Sequence, residues 1–249
     1  METAEHIRAL DEEGRLLAAA ARKAGTDAEV PTCPGWRVRD LVRHTGLVHR
    51  WATAFVAEGH TSPRPLGSDP DLDGDALLTW FEEGHRHLVD TLRAAPADVD
   101  CWHFLPAPSP LAFWARRQAH ETAVHRADAE SALGAPPGEP SMDFAVDGID
   151  ELLLAFHARG RSRARTETPR VLRVRATDTG AAWTVRLSSE PPMTERADAS
   201  DTTDAKGADC EIAGPAPRLY LSLWNRLPFP AVTGDPSLAE LWRKTSGIG

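Results

Sequence analysis

The side chains best suited to chemistry lie on the helical stretch WARRQAHETAVHRADAE, which carries His120, Glu121 and His125. His120-Glu121 followed by a second histidine approaches the metal-binding pattern H-E-x-x-H. His125, however, is five residues beyond His120, about 140° round a helix of 3.6 residues per turn, so those two rings cannot easily share one ion. Glu121 and His125 are four apart and share a face, so they can converge. Trp114, Gln118, Thr122 and Ala129 lie on the same face, and the periodicity therefore points the pair inward. On an earlier helical stretch His44 falls in the stripe of Leu41, Val48 and Phe55 and should face the same interior. His44, Glu121 and His125 would then give three N and O donors from facing helices, with a fourth position open to water or substrate. That is the arrangement of a catalytic divalent-metal site. Zinc is the first choice for imidazole and carboxylate ligands, and iron, nickel or cobalt could substitute. The same spacing also suits an ordinary surface Glu–His pair and a hydrogen-bonded core histidine at position 44, and spacing alone leaves these alternatives open.

The other histidines are less informative. The chain has ten, eight of them between His44 and His125. His49, His60, His85, His87, His103 and His157 have no partner at ligand spacing on a shared helical face and read as surface or loop residues. His120, about 100° from Glu121 on a helix, reads as solvent-facing or as a residue standing behind the metal.

The elements that must position these groups follow from periodicity. Ile7, Leu10, Leu17 and Ala20/Ala21 mark a helix from Thr3 to about Gly25, broken by PTCPGW. A second helix spans about Arg37–Ala57. A third carries Leu77, Trp80/Phe81, Leu88 and Leu92 and ends at Pro96. The fourth starts at Ser109-Pro110, an N-cap followed by proline at the first helical position, and stops at Gly134. Together they predict a four-helix bundle. GAPPGEPS (134–141) reads as a short linker, followed by a helix over about Asp143–Arg159. The period then changes to two: residues 171–175 and 183–187 flank Asp178-Thr179-Gly180 and predict a β-hairpin. Residues 189–209 are polar and read as a weakly structured connection. CEIAG is a strand candidate, and PAPRLYLSLWNRL and PSLAELWRK are helices. The expected organisation is a helical domain over 1–140 and an α+β domain over 141–249.

Composition bounds the function. The 249 residues carry 41% apolar and 26% charged side chains, enough for two folded cores. A net charge of −9 argues against nucleic acid or an anionic membrane as partner. RGRSRARTETPR (159–170), the only basic run, is short and reads as a solvated segment beside the hairpin. No apolar run reaches the length of a membrane span, and METAEHIRALDEEGRLL is too charged for a signal peptide. Cys33, Cys101 and Cys210 are far apart, an odd count without a CxxC pair, which excludes a disulfide framework and a cysteine-rich zinc site. These features lead us to expect a soluble, acidic, cytoplasmic protein, taken to be a monomer, and leave its chemistry open.

CPGWRVRDLVRHTGLVHRWA (33–52) and RRQAHETAVHRADAE (116–130) together resemble the mycothiol-dependent maleylpyruvate isomerase family, within the wider DinB-like group of metal-binding four-helix bundles. DCEIAGPAPRLYLSLWNRLPFPAVTGDPSLAEL (209–241) resembles that family's C-terminal domain, a small α+β module similar to sterol-carrier-protein folds. The resemblance implies that the metal ligands are His44, Glu121 and His125, the residues that the helical geometry also selects. It further implies a catalytic arginine, which maps onto Arg226 in the LW-x-R motif. Without the resemblance, Arg226 reads as a solvated arginine at a helix end. There are two departures from the family's pattern. Arg37 stands where relatives commonly have a Ser or Thr N-cap, a local cost of about 1 kcal/mol, and Asn225 stands where glycine is frequent.

An open divalent site stabilises a thiolate at neutral pH. No cysteine here sits in a nucleophile motif, so the thiol should come from a cofactor, which the resemblance supplies as mycothiol. The expected reaction adds that thiolate to an electron-poor double bond of a dicarboxylate and eliminates it after rotation, a cis–trans isomerisation. If the adduct is kept, the same site is a mycothiol S-transferase. A non-catalytic metal-binding regulatory module is the reading from a different class.

Overall fold

The computed structural model describes residues 1–198 and 207–248, and the chain divides into two units, Met1–Gly138 and Glu139–Gly249. The first holds four helices: α1 (Thr3–Ala24), α2 (Val38–Glu58), α3 (Gly74–Ala94) and α4 (Pro110–Ser131). Their ends follow the sequence. Ser109 Oγ accepts from Ala112 N to cap α4, with Pro110 at its first position. At α2 the N-cap is Arg37, which has no acceptor to offer. Asp40 compensates in part by accepting from Arg37 N at 2.8 Å.

Helices α1, α2 and α3 each bury one apolar face, with Leu10 and Leu17, Leu41 and Phe55, and Leu77, Phe81 and Leu88 fully enclosed. Helix α4 differs in burying charged and polar groups beside its apolar ones, among them Arg117, His120, Arg126 and Asp128, where it packs against α1 and α2. Arg126 illustrates how this is tolerated. Its guanidinium reaches Glu13 on α1 at 2.5 Å, Glu130 at 2.7 Å and the Gly138 carbonyl at 2.9 Å. A buried charge is stable only when paired and hydrogen-bonded in this way.

The second unit opens with α5 (Met142–Asp150), which the chain extends as a π-helical segment, Glu151–Phe156. The expectation of one α-helix over about Asp143–Arg159 is therefore corrected. His157 N bonds to the Leu152 carbonyl five residues back, and the wider turn keeps Leu152, Leu153 and Phe156 all buried. A sheet follows in the order β3-β2-β1-β4-β5, from β1 (Arg170–Ala176), β2 (Ala181–Leu187), β3 (Met193–Asp198), β4 (Cys210–Gly214) and β5 (Ala231–Gly234). The β1–β2 hairpin is antiparallel with Val174 opposite Trp183, and β4 joins β1 in parallel with Ile212 beside Val174. Helices α6 (Ala216–Leu223) and α7 (Pro236–Thr245) complete the unit.

Part of 189–209, expected to be weakly structured, is instead the edge strand β3, hydrogen-bonded to β2. Its polar composition suits an edge with solvent on its outer side. Residues 199–206 lie outside the described residues. The basic run is built into the fold: Arg165 donates to the carbonyls of Ser162, Gly160 and Ser189, and Arg170 pairs with Asp209 and Asp235. No helix among the described residues is long and apolar enough to cross a membrane.

Candidate metal centre

Helix α2 contributes His44 and α4 contributes Glu121 and His125, and the fold brings one ligand atom of each to within 4.8 Å of the others. Glu121 Oε1 is the shared point, 3.2 Å from His125 Nε2 and 3.5 Å from His44 Nε2. The other carboxylate oxygen, Oε2, accepts from Arg117 Nη2 at 3.0 Å, one turn back on α4. His125 turns its second nitrogen, Nδ1, onto Asp128 Oδ2 at 2.9 Å. Asp128 is fully enclosed, and its Oδ1 accepts from the Thr32 hydroxyl at 2.6 Å. The indole of Trp36 flanks both imidazoles, with ring centroids 5.2 Å from His44 and 6.4 Å from His125. The His44 side chain is 33% exposed and Glu121 22%, so the donors are reachable from solvent.

The electrostatics follow from this placement. Burial alone would raise the Glu121 pKa, but hydrogen bonds from His125 and His44 and the charges of His125 and Arg117 hold it well below the usual carboxylate range. Burial likewise disfavours a charged His125. The Asp128 and Glu121 carboxylates, one on each ring nitrogen, outweigh it and push the imidazole up to about 9. An imidazole held between two carboxylates calls for a positive charge, met by a proton or by a cation at Nε2.

The donor set fits a divalent cation. Tetrahedral coordination with bonds near 2.0–2.1 Å places donor atoms about 3.3 Å apart, and the Glu121–His125 and Glu121–His44 separations are 3.2 and 3.5 Å. Two imidazoles and a carboxylate suit zinc and its neighbours and leave a fourth position free. His125 has a carboxylate on its far nitrogen, the orienting partner that ligating histidines almost always have.

The other residues named from sequence fall elsewhere. Arg226 follows α6 in the second unit, partly buried, and its Nη1 donates to the Trp224 carbonyl at 2.6 Å. Asn225 has φ +64°, a left-handed conformation that Gly and Asn adopt most readily. Its side chain donates to the Arg243 carbonyl and to Ser246 Oγ.

Three histidines expected at the surface or in loops, His49, His85 and His157, lie inside the core, and so does His120, whose alternative expectation was a place behind the donors. His49, His85, His120 and His157 are no more than 5% exposed. His49 Nε2 pairs with Thr122 Oγ1 at 2.9 Å, and His157 Nδ1 with Ser162 Oγ at 2.9 Å. On α2 and α4 the buried arc is wider than a single apolar stripe, which places His49 and His120 inward beside it. His60 and His103 are partly buried and His87 is exposed.

Sequence reasoning missed Asp128, Arg117, Thr32 and Trp36 as neighbours of the donors. For Asp128 and Arg117 the signal was present, since they lie three residues after His125 and four before Glu121 on one helix. Thr32 and Trp36 reach the site from the α1–α2 turn, which no periodicity encodes.

Comparisons with known proteins agree with this architecture. The family model described as mycothiol maleylpyruvate isomerase N-terminal domain matches residues 7–130, and that described as MDMPI C-terminal domain matches residues 143–241. A crystal structure of a histidine-to-alanine variant of mycothiol-dependent maleylpyruvate isomerase is similar in fold, with a TM-score of 0.58 and 13% identity over 88% of this chain and 88% of that one. No curated protein matches the sequence. With the two family domains in order along most of its length, the chain belongs to the mycothiol-dependent maleylpyruvate isomerase family of enzymes.

Proposed function

We propose that the chain is a metal- and mycothiol-dependent enzyme that isomerises maleylpyruvate or a related unsaturated dicarboxylate from cis to trans. The observation that carries this reading is the convergence of one ligand atom each of His44, Glu121 and His125 within 4.8 Å, with Glu121 Oε1 at 3.2 and 3.5 Å from the two imidazole nitrogens. His44 and His125 bind through Nε2 and Glu121 through Oε1. Arg117 pairs with Glu121 Oε2, and Asp128 on Nδ1 leaves Nε2 of His125 as the donor. Zinc is the proposed ion.

Of the three cysteines, Cys33 is partly buried in the turn between α1 and α2, and none belongs to the donor set. Cys101 and Cys210 are buried, and burial pushes both thiols up. An external thiol therefore suits the site, and mycothiol is the one that the family supplies. A cation held by His44, Glu121 and His125 would lower the pKa of an added thiol, and the thiolate would add reversibly to the electron-poor double bond, leaving a single bond free to rotate before elimination gave the trans alkene. Arg226 is the guanidinium proposed to hold a substrate carboxylate.

Product analysis tests the reading. Zinc-loaded protein with maleylpyruvate and mycothiol should release the trans isomer with the thiol unconsumed. Turnover of maleylpyruvate without any thiol contradicts the cofactor role. A retained thioether adduct, or turnover of an activated haloarene alone, makes the same site an S-transferase.

A further inference from the structure

The turn between α1 and α2 carries the CPGW motif and has no role in the reading above. Its geometry is specific. Cys33-Pro34-Gly35-Trp36 closes with Trp36 N on the Cys33 carbonyl at 2.9 Å, with proline at the second position and Gly35 at φ +87° in the third. That is a type II turn, whose third position needs a positive φ and so favours glycine. A second tight turn precedes it, with Cys33 N on the Val30 carbonyl at 3.0 Å. Val30 N to the Trp36 carbonyl and Val38 N to the Ala28 carbonyl, both at 2.9 Å, tie the base of the loop. Four backbone hydrogen bonds thus brace the loop, and of its partly buried side chains, Thr32, Cys33 and Trp36, two meet the donor cluster, Thr32 and Trp36.

Both side chains end on the donor cluster. Thr32 gives its hydroxyl proton to Asp128 Oδ1 at 2.6 Å and stands 3.1 Å from Ser131 Oγ, while Ser131 donates to the Asp128 carbonyl at 2.7 Å. Asp128 thereby spends one oxygen on the turn and the other on His125 Nδ1. Trp36 lies nearly parallel to the His125 ring, at 19°, and tilted 59° to His44. An imidazole held by a carboxylate on one nitrogen and by an indole on its face has little freedom to rotate.

We propose that the turn over residues 31–36 is a positioning device for the metal donors, in which Thr32 acts through Asp128 to fix the orientation of His125 and Trp36 restrains the His44 and His125 rings. The proposal rests on the reading of His44, Glu121 and His125 as metal ligands. Thr32, Trp36 and Asp128 are positioning residues that touch ligands rather than the reacting atoms.

The test uses the full-length protein, stripped and titrated with zinc against a chromophoric chelator, and separately loaded with cobalt(II) for its visible spectrum. Thr32→Val removes the hydroxyl at constant shape, Thr32→Ser keeps it, and Asp128→Asn removes the carboxylate. Zinc affinity should fall roughly tenfold in Thr32→Val and by up to roughly a hundredfold in Asp128→Asn, with altered cobalt bands in both, and Thr32→Ser should restore wild-type behaviour. Should Asp128→Asn fail to fold, the Thr32 pair decides. Wild-type zinc affinity and unchanged cobalt bands in a folded Thr32→Val overturn the positioning role alone. A wild-type protein that takes up neither ion overturns the metal reading and this proposal with it.

Discussion

Arg117 Nη2 lies 3.0 Å from Glu121 Oε2, one turn earlier on α4, with the guanidinium side chain only 3% exposed. The carboxylate oxygen facing away from the imidazoles is thus neutralised before any cation arrives, and Oε1 is left to face His44 and His125. Replacing Arg117 with Met should destabilise the metal-free protein by about 1–2 kcal/mol, because Glu121 Oε2 loses its buried donor while His44 and His125 still face Oε1. Zinc restores a positive charge beside Glu121, so it should raise the thermal midpoint more in Arg117→Met than in wild type. Thermal unfolding with and without zinc checks this, and equal shifts in the two proteins would show that arginine and ion do not share the neutralisation of Glu121.

Acid should weaken the second unit in a defined window. Burial lowers the His157 pKa to about 4, against about 6.5 in an unfolded chain. Above pH 6.5 the ring is neutral in both states. Between about 6.5 and 4 only the unfolded chain takes up the proton, so stability falls as pH falls, by at most about 3 kcal/mol. His49 and His85 are lowered by burial too and act in the same direction in the first unit. Urea unfolding from pH 7 to 4.5 should show a shallower decline in His157→Gln than in wild type. The same slope in both would assign the loss to other groups.

Asn225 separates backbone from side-chain effects. Asn225→Gly keeps the left-handed conformation and loses the hydrogen bonds to Arg243 and Ser246, whereas Asn225→Ala loses both and adds strain at φ +64°. The alanine variant should therefore be the less stable by about 1 kcal/mol. Equal denaturation midpoints would show that the positive φ contributes nothing.

How much of this could be read from sequence depended on how local the signal was. Pro110, Ser109 and the apolar stripe of α1 are local features, and the helices they mark lie where expected. The pair Glu121 and His125 is local to one helix, and His44 needed only the stripe on α2 to be brought to it. Strand β3 was illegible because an edge strand with exposed Met193, Glu195 and Arg196 has the composition of a loop. His49 and His85 were misplaced because buried histidines satisfied inside a bundle look like surface ones in composition. Thr32 reaches Asp128 across 96 positions, a contact set by the turn and the packing of α4, and so carries no pattern within either segment.

The central claim is that His44, Glu121 and His125 hold a divalent metal on which turnover depends. Metal analysis of wild type and His44→Ala, with maleylpyruvate isomerisation measured on the same samples in the presence of mycothiol, tests it most directly. We expect one equivalent of divalent metal in wild type, activity lost on chelation and regained on reloading, and a folded His44→Ala protein with neither metal nor turnover. A His44→Ala protein that isomerises the substrate without bound metal would contradict the account.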